Sequence, residues 1–186
     1  MQLKKEKQFL ISLQYKGINN SFFCFVWYTI HGDIMFGKTI KILAILLIMV
    51  TIFMFSMDTG EESTTKSDGL IIRISETILH RKLSEKEKEE YITRYVVPIR
   101  KTAHFTMYFL LGLFTISLLN DYNLINKKLL IYTIVFVFIY ACSDEIHQLL
   151  VPDRSGEVLD VLIDTLGGTT ASLIYLKTKN RRKKYE

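Results

Sequence analysis

The chain has 186 residues, 49% of them hydrophobic and 23% charged, with two cysteines, two prolines and a formal net charge of +5. Its apolar residues gather into blocks of membrane-crossing length, which excludes a disordered chain, a secreted disulfide scaffold and most soluble enzymes. The basic residues flank those blocks, where they report membrane orientation, so no nucleic-acid partner is expected.

Residues 1–34 combine a polar, basic start with a short apolar run, SFFCFVWYTI at 21–30, about half of what a bilayer core requires. No small-residue cleavage pattern follows it, so it does not read as a signal peptide. Met35 opens MFGKTIKILAILL, a well-formed start with two lysines ahead of a span, and the reading takes 1–34 as an upstream extension with translation beginning at Met35. The first span covers 40–57 and stops at DTGEESTTKSDG.

A polar stretch follows. Ser67 and Asp68 precede an amphipathic run, LIIRISETIL, and SEKE at 84–87 is a capping-box pattern. Tyr91, Ile92, Tyr95 and Val96 then recur at helical spacing, and Pro98 is expected to stop that helix. Both segments read as surface helices lying on the membrane or on the other spans. The second span covers 99–119, with Arg100, Lys101 and His104 at its start. The third opens at Leu129, is apolar to Cys142 and continues through SDEIHQLLV until Pro152 ends it. The fourth covers 158–176, with Asp160 and Asp164 in its first turns, ahead of a basic tail at 177–186. The expected fold is therefore all-α: an integral membrane bundle of four transmembrane helices, with an amphipathic helical segment between the first two, and a membrane domain at 35–176.

The tail holds six basic residues against one in the loop joining spans three and four, which places both termini in the cytoplasm of a multi-pass plasma-membrane protein. On either orientation, four alternating spans bring the start of span two, the end of span three and the start of span four to one membrane face. At 1.5 Å per residue, His104 lies roughly 7 Å inside its span, Asp164 roughly 9 Å, and Asp144 roughly 10 Å below Pro152. Helical spacing puts Lys101, His104, Tyr108, Gly112 and Thr115 on one stripe of span two, and Asp160, Asp164, Gly167, Gly168 and Ala171 on one stripe of span four. Gly112, Gly167, Gly168 and Ala171 are the expected helix-packing positions. Span three contributes Tyr140, Asp144, His147 and Gln148, with Glu145 rotated about 100° from Asp144. Asp160 and Asp164 lie near a helix N-terminus, which favours carboxylates, whereas Asp144 and Glu145 lie near a C-terminus, which does not. The second pair is expected to need cations, with Lys101, His104 and Arg154 as candidates.

Three segments carry a family resemblance: RKTAHFTMYFLLG (100–112), SDEIHQLLVPDRSGEVLDVLIDTLGG (143–168) and FMFSMDTGEESTTKSDG (53–69). Together they resemble the VanZ-like family of small bacterial membrane proteins, over residues from about 38 to 176. DEIHQ followed by PxR and then DxxxD before two glycines is the specific part. The family pattern often has PGR, where this chain has Asp153 before Arg154. The resemblance implies a helical membrane protein whose founding member lowers susceptibility to the glycopeptide teicoplanin, and it implies no established reaction.

Three readings of the polar residues stand side by side. Lys101, His104, Asp144, Glu145, His147, Gln148, Arg154, Asp160 and Asp164 could bind a polar lipid, a lipid-linked cell-wall precursor or a glycopeptide from the outer leaflet, with the lipid bilayer itself as a further expected partner. They could form a salt-bridged plug that holds the helices in register. They could be an enzyme site, His104 with Asp144 or Glu145 as acid and base, or His104, His147 and a carboxylate on a metal. No HExxH, GxSxG or CxxC motif is present, so the expectation is no metal, no cofactor and no named reaction.

Overall fold

The structure is a computed structural model, and it describes residues 34–58, 60–152, 154 and 156–183. The expectations for residues 1–33 and for Asp153 lie outside the described residues. The chain divides between Ile40 and Lys41, and the contacts described below belong to the unit that begins at Lys41. Among the described residues five helices follow one another: α1 (Ile34–Met57), α2 (Gly60–Leu79), α3 (Glu85–Asn120), α4 (Asn126–Gln148) and α5 (Val158–Lys183). Among the described residues four helices are long and apolar enough to cross a membrane, within α1, α3, α4 and α5, so the chain is an all-α bundle of four spans.

The side-chain distribution is that of a protein solvated by lipid. Leu43, Leu46, Leu47 and Val50 on α1, Val135 and Ile139 on α4, and Leu162, Leu166 and Leu173 on α5 are exposed. Ser56, Thr115, Ser117, Thr133, Asp144, Gln148, Asp164 and Ser172 are buried. In water this arrangement would leave an apolar surface far larger than a monomeric soluble protein exposes. In a bilayer the apolar rim faces acyl chains, and small or polar residues hold the helices together.

The capping box forms as expected: Ser84 accepts from the Glu87 backbone and the Glu87 carboxylate accepts from the Ser84 N–H at 2.9 Å. Two boundaries differ from expectation. Pro98 does not stop the helix, because α3 runs through it for 36 residues. Proline removes one N–H and crowds the carbonyl four residues back, and both Pro98 and Arg94 are exposed, so the freed carbonyl faces the outside of the bundle. At 1.5 Å per residue α3 is roughly 54 Å long, well beyond a bilayer core of about 30 Å. Its N-terminal turns therefore project past the membrane, and α2 folds back along them with Ile71 and Leu83 buried. α2 itself begins at Gly60, earlier than the amphipathic run after Asp68.

The second difference is at the end of α4, which closes at Gln148 and not at Pro152. The chain tightens there, with Leu150 N–H donating to His147 O at 3.0 Å and Val151 N–H to Gln148 O at 3.1 Å. The residue before a proline disfavours the helical conformation. α5 in turn continues past Leu176 to Lys183.

The main packing is α3 against α5. Gly112 lies so close to Gly168 that a Cβ on Gly112 would sit 2.6 Å from the Gly168 Cα, and one on Gly167 would sit 2.5 Å from the Phe105 carbonyl oxygen. Ala171 is fully buried. Small residues allow this backbone approach, which is the main source of attraction between helices where lipid is as apolar as leucine. At one end of the bundle, Lys41 of α1 pairs with Asp121 after α3 at 2.8 Å, and Asn126 of α4 donates to Asn180 of α5 at 2.9 Å. The polar cluster occupies the opposite end.

Candidate functional site: a polar cluster at one end of the bundle

The cluster is built in two linked parts. The first joins α1, α4 and the loop into α5. Ser56, one residue from the end of α1, donates from Oγ to Asp144 Oδ1 at 2.5 Å. Gln148, one turn further along α4, donates from Nε2 to Asp144 Oδ2 at 3.1 Å and to Glu145 Oε1 at 3.2 Å. Arg154 donates from Nη1 to Gln148 Oε1 at 3.2 Å and from Nη2 to the Phe55 carbonyl at 3.0 Å. The expected contact between Arg154 and the α4 carboxylates is thus replaced by an amide relay. Gln148 accepts from the cation and donates to both acids, so its dipole carries part of the guanidinium charge inward. Burial, with Arg100 nearby, pulls the Arg154 guanidinium below its ordinary range, the direction expected of a cation removed from water.

Glu145 is satisfied without a cation. Its Oε2 accepts from the N–H of Glu157 at 2.8 Å, immediately before the first residue of α5. A carboxylate disfavoured at the C-terminus of its own helix is held at the positive N-terminus of the next one. Gly156 permits this, because a Cβ there would meet the Glu145 carbonyl oxygen at 2.9 Å.

The second part joins α3 and α5. Lys101 Nζ binds Asp160 closely and reaches Glu157 at 3.4 Å. One turn deeper, His104 Nδ1 lies 3.6 Å from Asp164 Oδ2, beyond a normal hydrogen bond. Asp164 is fully buried, and among the described residues neither of its carboxylate oxygens has a hydrogen-bond partner. Another turn down, the Tyr108 hydroxyl is also buried and has no hydrogen-bond partner among the described residues. The two parts meet here, since one ligand-type atom from each of His104, Asp144 and Asp164 falls within 4.8 Å of the others. Below them Tyr108 and Tyr140 are tilted against each other at 6.1 Å, and Tyr140 donates to the Met49 carbonyl at 2.6 Å.

His147 does not join this group. Its ring lies 4.7 Å from Phe53 of α1, and its buried Nδ1 has no hydrogen-bond partner among the described residues. Ser56 and the Glu157 N–H are the participants that sequence reasoning did not name. Ser56 stood inside one of the resembling segments, but a lone serine ending an apolar span gives no signal of its partner 88 residues away.

The geometry sets what a change at Arg154 should do. Its two terminal nitrogens serve acceptors on α4 and α1 simultaneously, a fork that a lysine ammonium cannot reproduce on the same two fixed acceptors. Arg154→Lys is expected to retain membrane insertion while losing about 1–2 kcal/mol of stability. Thermal unfolding in detergent reads the effect, and a midpoint equal to wild type would show that charge alone suffices.

No curated protein and no solved structure matches this chain. The sequence profile of the VanZ/LLP1 family matches residues 41–179, from the first span through nearly all of α5 and including every residue of the cluster. On that match, and with four membrane-crossing helices beneath it, the chain belongs to the VanZ/LLP1 family.

Proposed function

We propose that this membrane protein binds the polar head of a membrane amphiphile, a polar lipid or lipid-linked cell-envelope intermediate, in the cluster formed by α1, α3, α4 and α5. The observation that carries the reading is the unspent hydrogen-bonding capacity of Asp164 and Tyr108, deep inside the bundle. A buried polar group without a partner costs about 1–3 kcal/mol, more for a charge, and a fold assembled only for stability eliminates such groups. Lys101 and Arg154 at the rim suit a phosphate, and the inner carboxylates suit hydroxyl or amine donors of a headgroup. The six basic residues of the tail support cytoplasmic termini, which turns this end of the bundle toward the outer leaflet of the plasma membrane. Lowered susceptibility to glycopeptides such as teicoplanin is the cellular consequence we assign to that binding.

A structural plug is the second reading, and the chain Ser56–Asp144–Gln148–Arg154 favours it. Variants Asp164→Asn, His104→Gln and Tyr108→Phe separate the two when protein level and glycopeptide susceptibility are scored independently. Binding predicts normal levels with lost phenotype, and a plug predicts loss of the protein itself. For orientation, Glu157→Cys is expected to react with impermeant thiol reagents from outside intact cells, and labelling only after lysis would reverse the assignment.

A further inference from the structure

We propose that His104, Asp144 and Asp164 form a binding site for one divalent transition-metal ion of the zinc class. The three side chains come from α3, α4 and α5, and one donor atom of each lies within 4.8 Å of the other two. Ligands at about 2.0–2.2 Å from a tetrahedral ion are spaced roughly 3.3–3.5 Å apart. The His104 Nδ1 to Asp164 Oδ2 distance of 3.6 Å already fits that edge, and it is too long for a hydrogen bond. The independent observation is Asp164, fully buried with neither oxygen bonded. Bonding to an ion would satisfy it, whereas the ion pair with His104 leaves both oxygens short of a donor.

Charge leads to the same assignment. Two carboxylates and a neutral imidazole around a dication sum to zero, and at membrane depth a neutral assembly avoids the desolvation that penalises unpaired acids. The surroundings supply the supporting contacts that metal carboxylates use. Ser56 and Gln148 each donate to one oxygen of Asp144, fixing its orientation. Three protein ligands leave a fourth position for water or, if the cluster takes an amphiphile as proposed above, for an oxygen of its phosphate. Only that last clause rests on the binding role, and the metal site itself does not.

The test is elemental analysis of the full chain purified in detergent without chelators, followed by chelation and titration with Zn2+. We expect about one equivalent of a divalent transition metal per chain. Zn2+ affinity should fall at least tenfold in His104→Gln and in Asp164→Asn, should fall about 10–100-fold in Ser56→Ala, and should be unchanged in Glu90→Gln, an exposed carboxylate. Cobalt substitution gives a readout independent of variant stability, since visible bands of bound Co2+ should appear in the wild-type chain and be displaced by Zn2+. Metal below a tenth of an equivalent together with no saturable Zn2+ binding would overturn the site and leave His104 and Asp164 as an ion pair only. Zn2+ binding that is indifferent to both ligand variants would overturn it equally. Neither result removes the amphiphile reading, which is judged by phenotype and not by metal.

Discussion

Replacing Lys41 by methionine is expected to destabilise the bundle by about 3–5 kcal/mol, the range for breaking one half of a buried ion pair. Lys41 is 4% exposed and Asp121 is 16% exposed, so the lysine has no alternative solvent and the aspartate little. Lys41 also reaches the Ser117 carbonyl near the end of α3 at 3.4 Å. The substitution strands an acid at the end of α3 that is opposite the cluster, and pulls the α1 anchor from the bundle. A double variant, Lys41→Met with Asp121→Leu, removes both charges and is expected to recover most of the loss. Unfolding in detergent, followed by tryptic sensitivity, measures it, and a single variant as stable as wild type would show that the pair is replaceable by lipid headgroups.

Gly112→Val is expected to be the most damaging substitution in the membrane core. A Cβ at this position would already meet the backbone of Gly168 at 2.6 Å, and backbone cannot turn aside as a flexible side chain can. α3 and α5 must separate, with a cost of about 3 kcal/mol or more, at the upper end for overpacking. Because His104 lies two turns before Gly112 and Asp164 one turn before Gly168, separation also pulls the two site residues apart. Both protein level and phenotype should fall. Gly112→Ser, with the same Cβ, should fail similarly, and a normal level of either variant would mean that the close approach is not what holds these helices.

Much of this architecture was legible because it is written in local periodicity. Span positions follow from hydropathy, and the inward stripes ending in Gly112 and Gly168 follow from a repeat of 3.6 residues. The juxtaposition of His104, Asp144 and Asp164 follows from counting depth along three alternating spans. What was hidden depends on contacts across the sequence. Ser56 is undistinguished until Asp144 is placed beside it, and Lys41 and Asp121 are two unremarkable charges at span ends until α1 and α3 are brought together. Glu145 was expected to need a cation because its own helix end disfavours it, and the neighbouring helix N-terminus that serves it is visible only in three dimensions. The helix end expected at Pro98 is absent for a related reason: the rule that proline ends a helix assumes that the freed carbonyl has no outlet, and on the exposed face of α3 it has one.

The central claim is that the cluster is kept for binding at some cost to stability, and the thermal unfolding of metal-stripped Asp164→Asn measures it most directly. In the stripped protein the Asp164 carboxylate faces His104 at 3.6 Å but has no hydrogen-bond donor among the described residues, so neutralising it is expected to relieve a penalty of about 1–3 kcal/mol that outweighs the loose ion pair. For a chain of this size each kcal/mol moves the midpoint by about 2–4 °C. The account predicts a midpoint above that of stripped wild type, in a protein that reaches the membrane normally and lacks the glycopeptide effect proposed above. A midpoint lowered by the same amount would contradict it, because Asp164 would then be a strut of the fold.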